Sequence, residues 1–465
     1  MKSFKVIIFC LLFAGCQFSE KKSIAEKSFS GQPGEVKLIV LAPGHFHADL
    51  LQKSKINEIN DSVYVYARQG KEVDQYLARI QSYNNRSENP TQWKEIVYKG
   101  EDFLEKMISD KNGNVVVLAG NNKEKTKYIL KSVSAGLNVL SDKPMAINKE
   151  NFELLEQAYD SAQAHHVMLY DIMTERYDIL NIVEQKLINN EDVFGKLREG
   201  NEDEPAISME SVHHFYKEVS GKPLIRPAWY YDVEQQGEGI ADVTTHLIDL
   251  VNWKCFPEES LDYKKDINVL SARHWATDLS LEDYSRSTKM DSFPNYLKKY
   301  VEDSKLKVFA NGTINYRVKE VNVSLKVIWN YKAPEGGGDT FSAYVKGSKA
   351  SLKTVQDSSN NFVKQLYIER VKSVDKDKFE AALEQAELEI QKDYPLVKIK
   401  PSSSEKGKYL VDIPVQAREG HESHFGYVAQ EFFDYLIEGK MPQREISNTL
   451  AKYYITTSAL ELAKK

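Results

Sequence analysis

Short apolar runs closed by polar loops and separated by helical patterns constrain this chain more than any other feature. Val36-Lys37-Leu38-Ile39-Val40-Leu41-Ala42 ends at Pro43-Gly44, and a helical pattern starts near His45. Val63 to Ala67 precedes a helical pattern around Val73 to Ile80. Asn114 to Gly120 leads into another from Lys123 to Ala135, which Gly136 stops before the run Asn138-Val139-Leu140. Apolar strands alternating with helices predict βαβ units and a parallel sheet covered on both faces. Such sheets bind ligands beyond the carboxyl ends of their strands. Polar loops fall at those ends: Pro43-Gly44-His45, Ala67-Arg68, Gly120-Asn121-Asn122 and Asp142-Lys143-Pro144. Pro144 biases Lys143 to an extended backbone, so its ammonium projects from a strand tip.

From about Asp171 the pattern changes. A helix around Ile179 to Leu187 precedes an alternating strand from Ala206 to Val212. Further alternating runs cover 267–273, 308–318, 321–331, 340–346 and 351–355. They predict a broad, mostly antiparallel sheet with one covered face, fit to wall a substrate cleft. The fold class expected is therefore α/β, with an N-terminal parallel sheet over 35–165 and a C-terminal α/β domain with an open sheet over 166–465. The charged segment from Asp375 to Gln391 reads as a lightly buried helical insertion. Helical patterns at 425–436 and 446–463 are expected to return towards the first domain.

Between them lies Gly237-Glu238-Gly239-Ile240-Ala241-Asp242-Val243-Thr244-Thr245-His246-Leu247-Ile248-Asp249. If helical, it stacks Asp242, His246 and Asp249 on one face while Val243, Leu247 and Leu250 turn inward. A histidine flanked by carboxylates is held in one tautomer and can accept a proton near neutral pH; an ordinary polar helix face fits the spacing equally well. His213 and His214 are adjacent, so in a strand they face opposite sides and one at most lines a cleft. Glu210, His213, His214, His246 and Asp249 match no common zinc spacing, so no metal is expected. Arg226, Trp229 and Tyr230 offer hydrogen bonds and ring faces to a sugar, with structural packing the alternative for Trp229. His421 and His424 read as loop residues.

The first residues, Met1-Lys2-Ser3-Phe4-Lys5, are basic, and an apolar run from Val6 to Ala14 precedes Gly15-Cys16. That length suits a signal-peptide core and not a permanent span. Small residues before Cys16 resemble a bacterial lipobox, which implies lipidation at Cys16, a leader over 1–16 and a polar tether over 17–34. The protein is then exported and membrane-anchored, at the periplasm or the cell surface. Of the 3 cysteines only Cys255 lies outside the leader, so the body has no internal disulfide to form. The net charge of -6 with no dense basic run argues against a nucleic-acid partner.

The segment Ala135 to Ala146, with Asp142-Lys143-Pro144, resembles the Glu-Lys-Pro segment of the Gfo/Idh/MocA oxidoreductases, and Asp242-x-x-x-His246-x-x-Asp249 is similar to that family's second signature. The resemblance spans most of the chain. It implies a Rossmann domain binding NAD or NADP, followed by an α/β domain with substrate held between the two. Val212 to Tyr216 and Arg226 to Asp232 resemble a lipoprotein or secreted subgroup with its own C-terminal domain, some of whose relatives oxidise glycosides to 3-keto sugars. By this resemblance Lys143, His246 and Asp242 are the catalytic set. His246 takes the hydroxyl proton, Asp242 orients its ring, and Lys143 hydrogen-bonds the reacting oxygen. Gly44, His45, Phe46, Arg68, Asn121, Asn122, Lys143 and Pro144 fall at the cofactor, and His213, Arg226, Trp229 and Asp249 at a carbohydrate or glycoside substrate. Homo-oligomerisation is left open.

The chain departs from the family's pattern in places. Leu41 to His47 keeps one clear glycine of the G-x-G-x-x-G fingerprint, and Arg68 stands where an acid would grip the ribose. Two further outcomes fit the same residues: net glycoside hydrolysis with a tightly held, recycled NAD, or a non-catalytic glycan-binding lipoprotein.

Overall fold

The structure, a computed structural model, describes residues 29–465 apart from 220, 221 and 404. Cys16, the leader and most of the expected tether lie outside the described residues. The tether's last residues are folded: Phe29 is buried in the first domain's core, and Glu35 accepts hydrogen bonds from the amides of Ser30, Gly31 and Gln32. No described helix is long and apolar enough to cross a membrane.

The first domain is a six-stranded parallel sheet of β1 (Leu38–Leu41), β2 (Ser62–Ala67), β3 (Lys94–Lys99), β4 (Val115–Leu118), β5 (Asn138–Asp142) and β6 (Leu169–Ile172), in the order β3-β2-β1-β4-β5-β6. This is the doubly wound order, and its switch point lies between β1 and β4. Alternate residues feed two cores. Leu38, Val40, Val115 and Val117 enter one, and Ile39, Leu41, Val116 and Leu118 the other. Five helices connect the strands: α1 (His47–Leu50), α2 (Lys71–Asn85), α3 (Phe103–Asp110), α4 (Lys125–Ser134) and α5 (Lys149–Ala164).

After α6 (Ile179–Ile188), β7 (Ile207–Tyr216) enters a ten-stranded sheet. Apart from the parallel pairing of β7 with 321–332, its neighbours run antiparallel. One face is covered by α6, α8 (Thr244–Cys255), α10 (Lys376–Asp393) and α12 (Gln443–Ala463), with α7 (Val233–Gln236) and α9 (Leu281–Thr288) at its margin. α11 (His421–Glu438) lays Phe425, Val428, Phe432 and Leu436 on the first sheet.

Three local expectations are corrected. α10 is no loose insertion, because Phe379, Leu383, Ala386 and Ile390 form a helical stripe buried in the second core. His421 and His424 are helical, since α11 begins at His421. The Gly237–Asp249 run is not one helix: α8 starts at Thr244, and Asp242 sits in the turn before it.

Candidate active site

Close backbone approach shapes the mouth of the first sheet. A Cβ on Gly120 would stand 2.4 Å from the Ala42 carbonyl, so only glycine lets the β4 loop lie against the β1 loop. Ala42, at the fingerprint's first glycine position, keeps the left-handed backbone with φ 48°. The loops frame a cavity of about 640 Å³ lined by Gly44, Arg68, Asn121, Lys125, Tyr128 and Trp229 among others. Its position at the switch point, its volume and its exposed loop backbone fit a dinucleotide. The Arg68 guanidinium lies over Phe103 at 5.7 Å and pairs with Glu101 at 2.9 Å, which leaves its planar face as a shelf at the cavity edge.

Of the expected cofactor residues, Gly44, Arg68 and Asn121 line this cavity, while His45, Phe46, Asn122, Lys143 and Pro144 are not among its lining residues. Asn122 is buried; its Nδ2 donates to the Gln236 carbonyl (2.7 Å), and its amide to the Gln235 carbonyl (2.9 Å). Asn121 Nδ2 donates to Gln235 Oε1 at 2.7 Å. These two asparagines therefore dock the second domain onto the first. Trp229, expected at the substrate, lines the cofactor cavity with Gln235.

Lys143 and Asp242 meet away from the cavity lining, with Nζ donating to Oδ1 at 2.6 Å. Gln236 Nε2 donates to the other Asp242 oxygen at 3.1 Å. The carboxylate expected to orient the His246 ring also receives Lys143, and His246 still acts electrostatically on it. Burial disfavours the Lys143 ammonium, but Asp242 and Asp142 outweigh it and hold its pKa above the usual lysine value. Burial likewise opposes the Asp242 carboxylate, and Lys143 outweighs it, so its pKa is lowered. The pair is charged. Gly239 explains the turn that delivers Asp242, since a Cβ there would stand 1.9 Å from the Ala310 carbonyl. From Gly237 to Asn252 every residue is buried except His246, which alone keeps partial exposure.

Asp249, expected at the substrate, is buried and engaged by cations of its own. It accepts two bonds from Arg176, at 2.7 and 2.8 Å, and one from Lys452 at 3.0 Å. Arg176 also reaches Glu445 at 2.8 Å, and Lys452 reaches Asp171 at 2.8 Å. The network ties β6, α8 and α12 together. It holds α8, and with it His246, against the first domain.

His213 and His214 do not part company. Both ring Nδ1 atoms turn to Asp339, at 3.7 and 2.8 Å, because the strand's alternation of burial breaks at His213. His213 also stacks on Trp329 with ring centroids 4.9 Å apart. Arg226 lies over Tyr230 (4.5 Å) and Trp329 (5.3 Å) and donates Nε to the Phe215 carbonyl at 2.8 Å. These side chains form an aromatic wall with Asp339 at its base, a residue the sequence reading did not single out.

It also passed over Lys125 and His47, a partner of Asp142. Lys125 Nζ donates to the Asp142 carbonyl at 3.0 Å, and burial brings its pKa down to about 8. His47, in the fingerprint's third glycine position, contacts Asp142 Oδ2 through Nδ1 at 3.0 Å. Among the described residues the set that could hold a metal ion is His45, His47 and Asp142, not the histidines of β7.

Residues 39–171 match the family model "Oxidoreductase family, NAD-binding Rossmann fold" of Gfo/Idh/MocA proteins, and residues 183–464 match "Putative oxidoreductase C terminal domain". No curated protein sequence matches the chain. Among solved structures, a "putative oxidoreductase" from Parabacteroides merdae is 51% identical over 94% of this chain and 99% of its own, with a TM-score of 0.91. Two more distant structures share the fold. A 3-ketoreductase from Actinomadura kijaniata, in complex with NADP and TDP-benzene, is 11% identical over 92% of this chain and 97% of its own (TM-score 0.55). Levoglucosan dehydrogenase, in complex with NADH and L-sorbose, is 13% identical over 92% and 97% (TM-score 0.57). The chain belongs to the Gfo/Idh/MocA oxidoreductases that carry this C-terminal domain, and its cofactor is NAD or NADP.

Proposed function

We propose that the protein oxidises a ring hydroxyl of a sugar or glycoside, giving a 3-keto glycoside. The observation that carries this reading is the charged Lys143–Asp242 pair beside the single partly exposed residue of its segment, His246, next to a dinucleotide-sized cavity. The L-sorbose bound to levoglucosan dehydrogenase, a distant structural neighbour, supports the substrate class.

When bound, nicotinamide would supply the acceptor for the carbinol hydrogen, which leaves as hydride. His246 takes the hydroxyl proton at a ring nitrogen while the carbon loses its hydrogen, so a carbonyl replaces the CH–OH. The raised pKa of Lys143 beside Asp242 favours its ammonium form and fits it to donate a hydrogen bond to the reacting oxygen. Asp242 keeps the ammonium charged and fixed, and Gln236 fixes Asp242. The partly exposed rings of Tyr230 and His213, backed by the buried Trp329, offer aromatic faces to the sugar.

The apolar run before Cys16 adds export and lipid anchoring to the proposal. It also favours a second reading, in which a retained NAD is reduced and reoxidised in each turnover and the net result is glycoside hydrolysis. Incubation with NAD, NADP and a panel of glycosides tests both. Oxidation changes the nicotinamide absorbance, and hydrolysis releases an aglycone without that change. His246→Ala should lower turnover by about 10² to 10⁴ while the dinucleotide still binds; equal loss of both would contradict its role as base.

A further inference from the structure

His45, His47 and Asp142 meet at the carboxyl ends of β1 and β5, and no step above uses them. We propose that they bind one divalent transition-metal ion of the zinc class. His47 Nδ1 lies 3.0 Å and His45 Nδ1 3.8 Å from Asp142 Oδ2, and one ligand atom from each residue falls within 4.8 Å of the others. Ligand atoms about 2.1 Å from a tetrahedral zinc stand roughly 3.4 Å apart, so the set closes on an ion with shifts of about an ångström.

Charge singles out Asp142. The buried carboxylates around it each hold a strong cation: Asp171 has Lys452 at 2.8 Å, Asp242 has Lys143 at 2.6 Å, and Asp249 has Arg176 at 2.7 Å. Asp142 is as buried as they are, at 4% exposure, but its ion-pair partners are the two imidazoles. Its Oδ1 is buried and accepts no hydrogen bond. A buried carboxylate oxygen left in that state is costly, and a cation between it and the two rings would satisfy it.

Two imidazoles and one carboxylate select zinc, cobalt or iron(II) over magnesium or calcium. His45 is half-buried, which gives an entry path from the cleft and room for a further ligand. The Lys125 ammonium, held at the main-chain oxygen of Asp142, opposes a dication and sets the affinity below that of a closed structural zinc site. The ion would tie the β1 loop, which lacks most fingerprint glycines, to the strand that carries Lys143.

The test uses the full-length protein without substrate, so it stands apart from the redox reading. Chelator-treated protein is titrated with Co²⁺, followed by visible absorption, and then with Zn²⁺. One equivalent of Co²⁺ with d–d bands of four- or five-coordinate metal, displaced by Zn²⁺, is expected. His47→Ala and Asp142→Asn should each weaken binding by about 100-fold, and His165→Ala, on an exposed histidine, should leave it unchanged. Should His47→Ala or Asp142→Asn lose its far-UV circular dichroism, His45→Ala, which removes the least buried ligand, carries the comparison. No stoichiometric binding at micromolar metal, or equal binding by the wild type and the ligand variants, overturns the proposal.

Discussion

Asp242→Asn removes the carboxylate that receives Lys143 and leaves a buried ammonium without an opposite charge. The two side chains are only 14% and 8% exposed, so solvent screens little of their interaction. At 2.6 Å, with an effective dielectric near 20, the gross attraction is about 6 kcal/mol. The net loss is smaller, because Lys143 can release its proton. Relative to an ordinary lysine at 10.5, that escape costs about 5 kcal/mol at pH 7 and caps the damage. We expect Asp242→Asn to lose about 3–5 kcal/mol of stability at pH 7, measured by denaturant unfolding. In the wild type the raised Lys143 pKa contributes stability below the unfolded value that is lost as pH rises through the folded one. In the variant the depressed lysine gains stability as pH rises towards 10.5. The gap between the two should therefore narrow at alkaline pH. Lys143→Met combined with Asp242→Asn should recover part of the loss, since no unpaired charge remains. A loss under about 1 kcal/mol, a gap independent of pH, or a double variant as unstable as Asp242→Asn would refute the buried-pair reasoning.

Three other perturbations probe the same frame. Asp249→Asn should destabilise by about 3–5 kcal/mol, because Arg176 and Lys452 lose a shared carboxylate; a stable variant with raised KM alone would return Asp249 to the substrate. Lys125 has its pKa depressed to about 8, so wild-type stability should rise with pH between about 8 and 10.5, and Lys125→Met should remove that slope. Gly120→Ala places a methyl against the Ala42 carbonyl and should weaken dinucleotide binding by about 1–3 kcal/mol, read by titration calorimetry; unchanged affinity would mean that the loops yield freely.

The parallel sheet was legible because its inner strands are apolar on both faces, and a run such as Val115 to Leu118 has few other folds open to it. The edge strand Lys94–Lys99 escaped notice, as its residues are largely exposed and carry charge. Lys143 and His246 stood out by local motif. The contacts around them did not: Lys143 and its partner Asp242 are separated by 99 residues, and Asp249 and Lys452 by 203. Spacing along the chain suggested that Asp242, His246 and Asp249 act together, yet packing gives Asp242 to Lys143 and Asp249 to a buried network, with His246 the partly exposed residue near Asp242. Period-2 reasoning sent His213 and His214 to opposite sides, whereas the burial alternation breaks at His213 and both rings reach Asp339, a residue far away in sequence that local periodicity does not see.

The central claim is that this cleft works through a nicotinamide cofactor. The purified protein is denatured, and any nucleotide released is identified by mass spectrometry, with NAD and NADP titrated into cofactor-free protein. The account predicts NAD or NADP in the released fraction, or saturable binding of one of them that Gly120→Ala weakens. No nucleotide released, and no binding of either, would contradict it and leave a glycan-binding protein on an oxidoreductase fold.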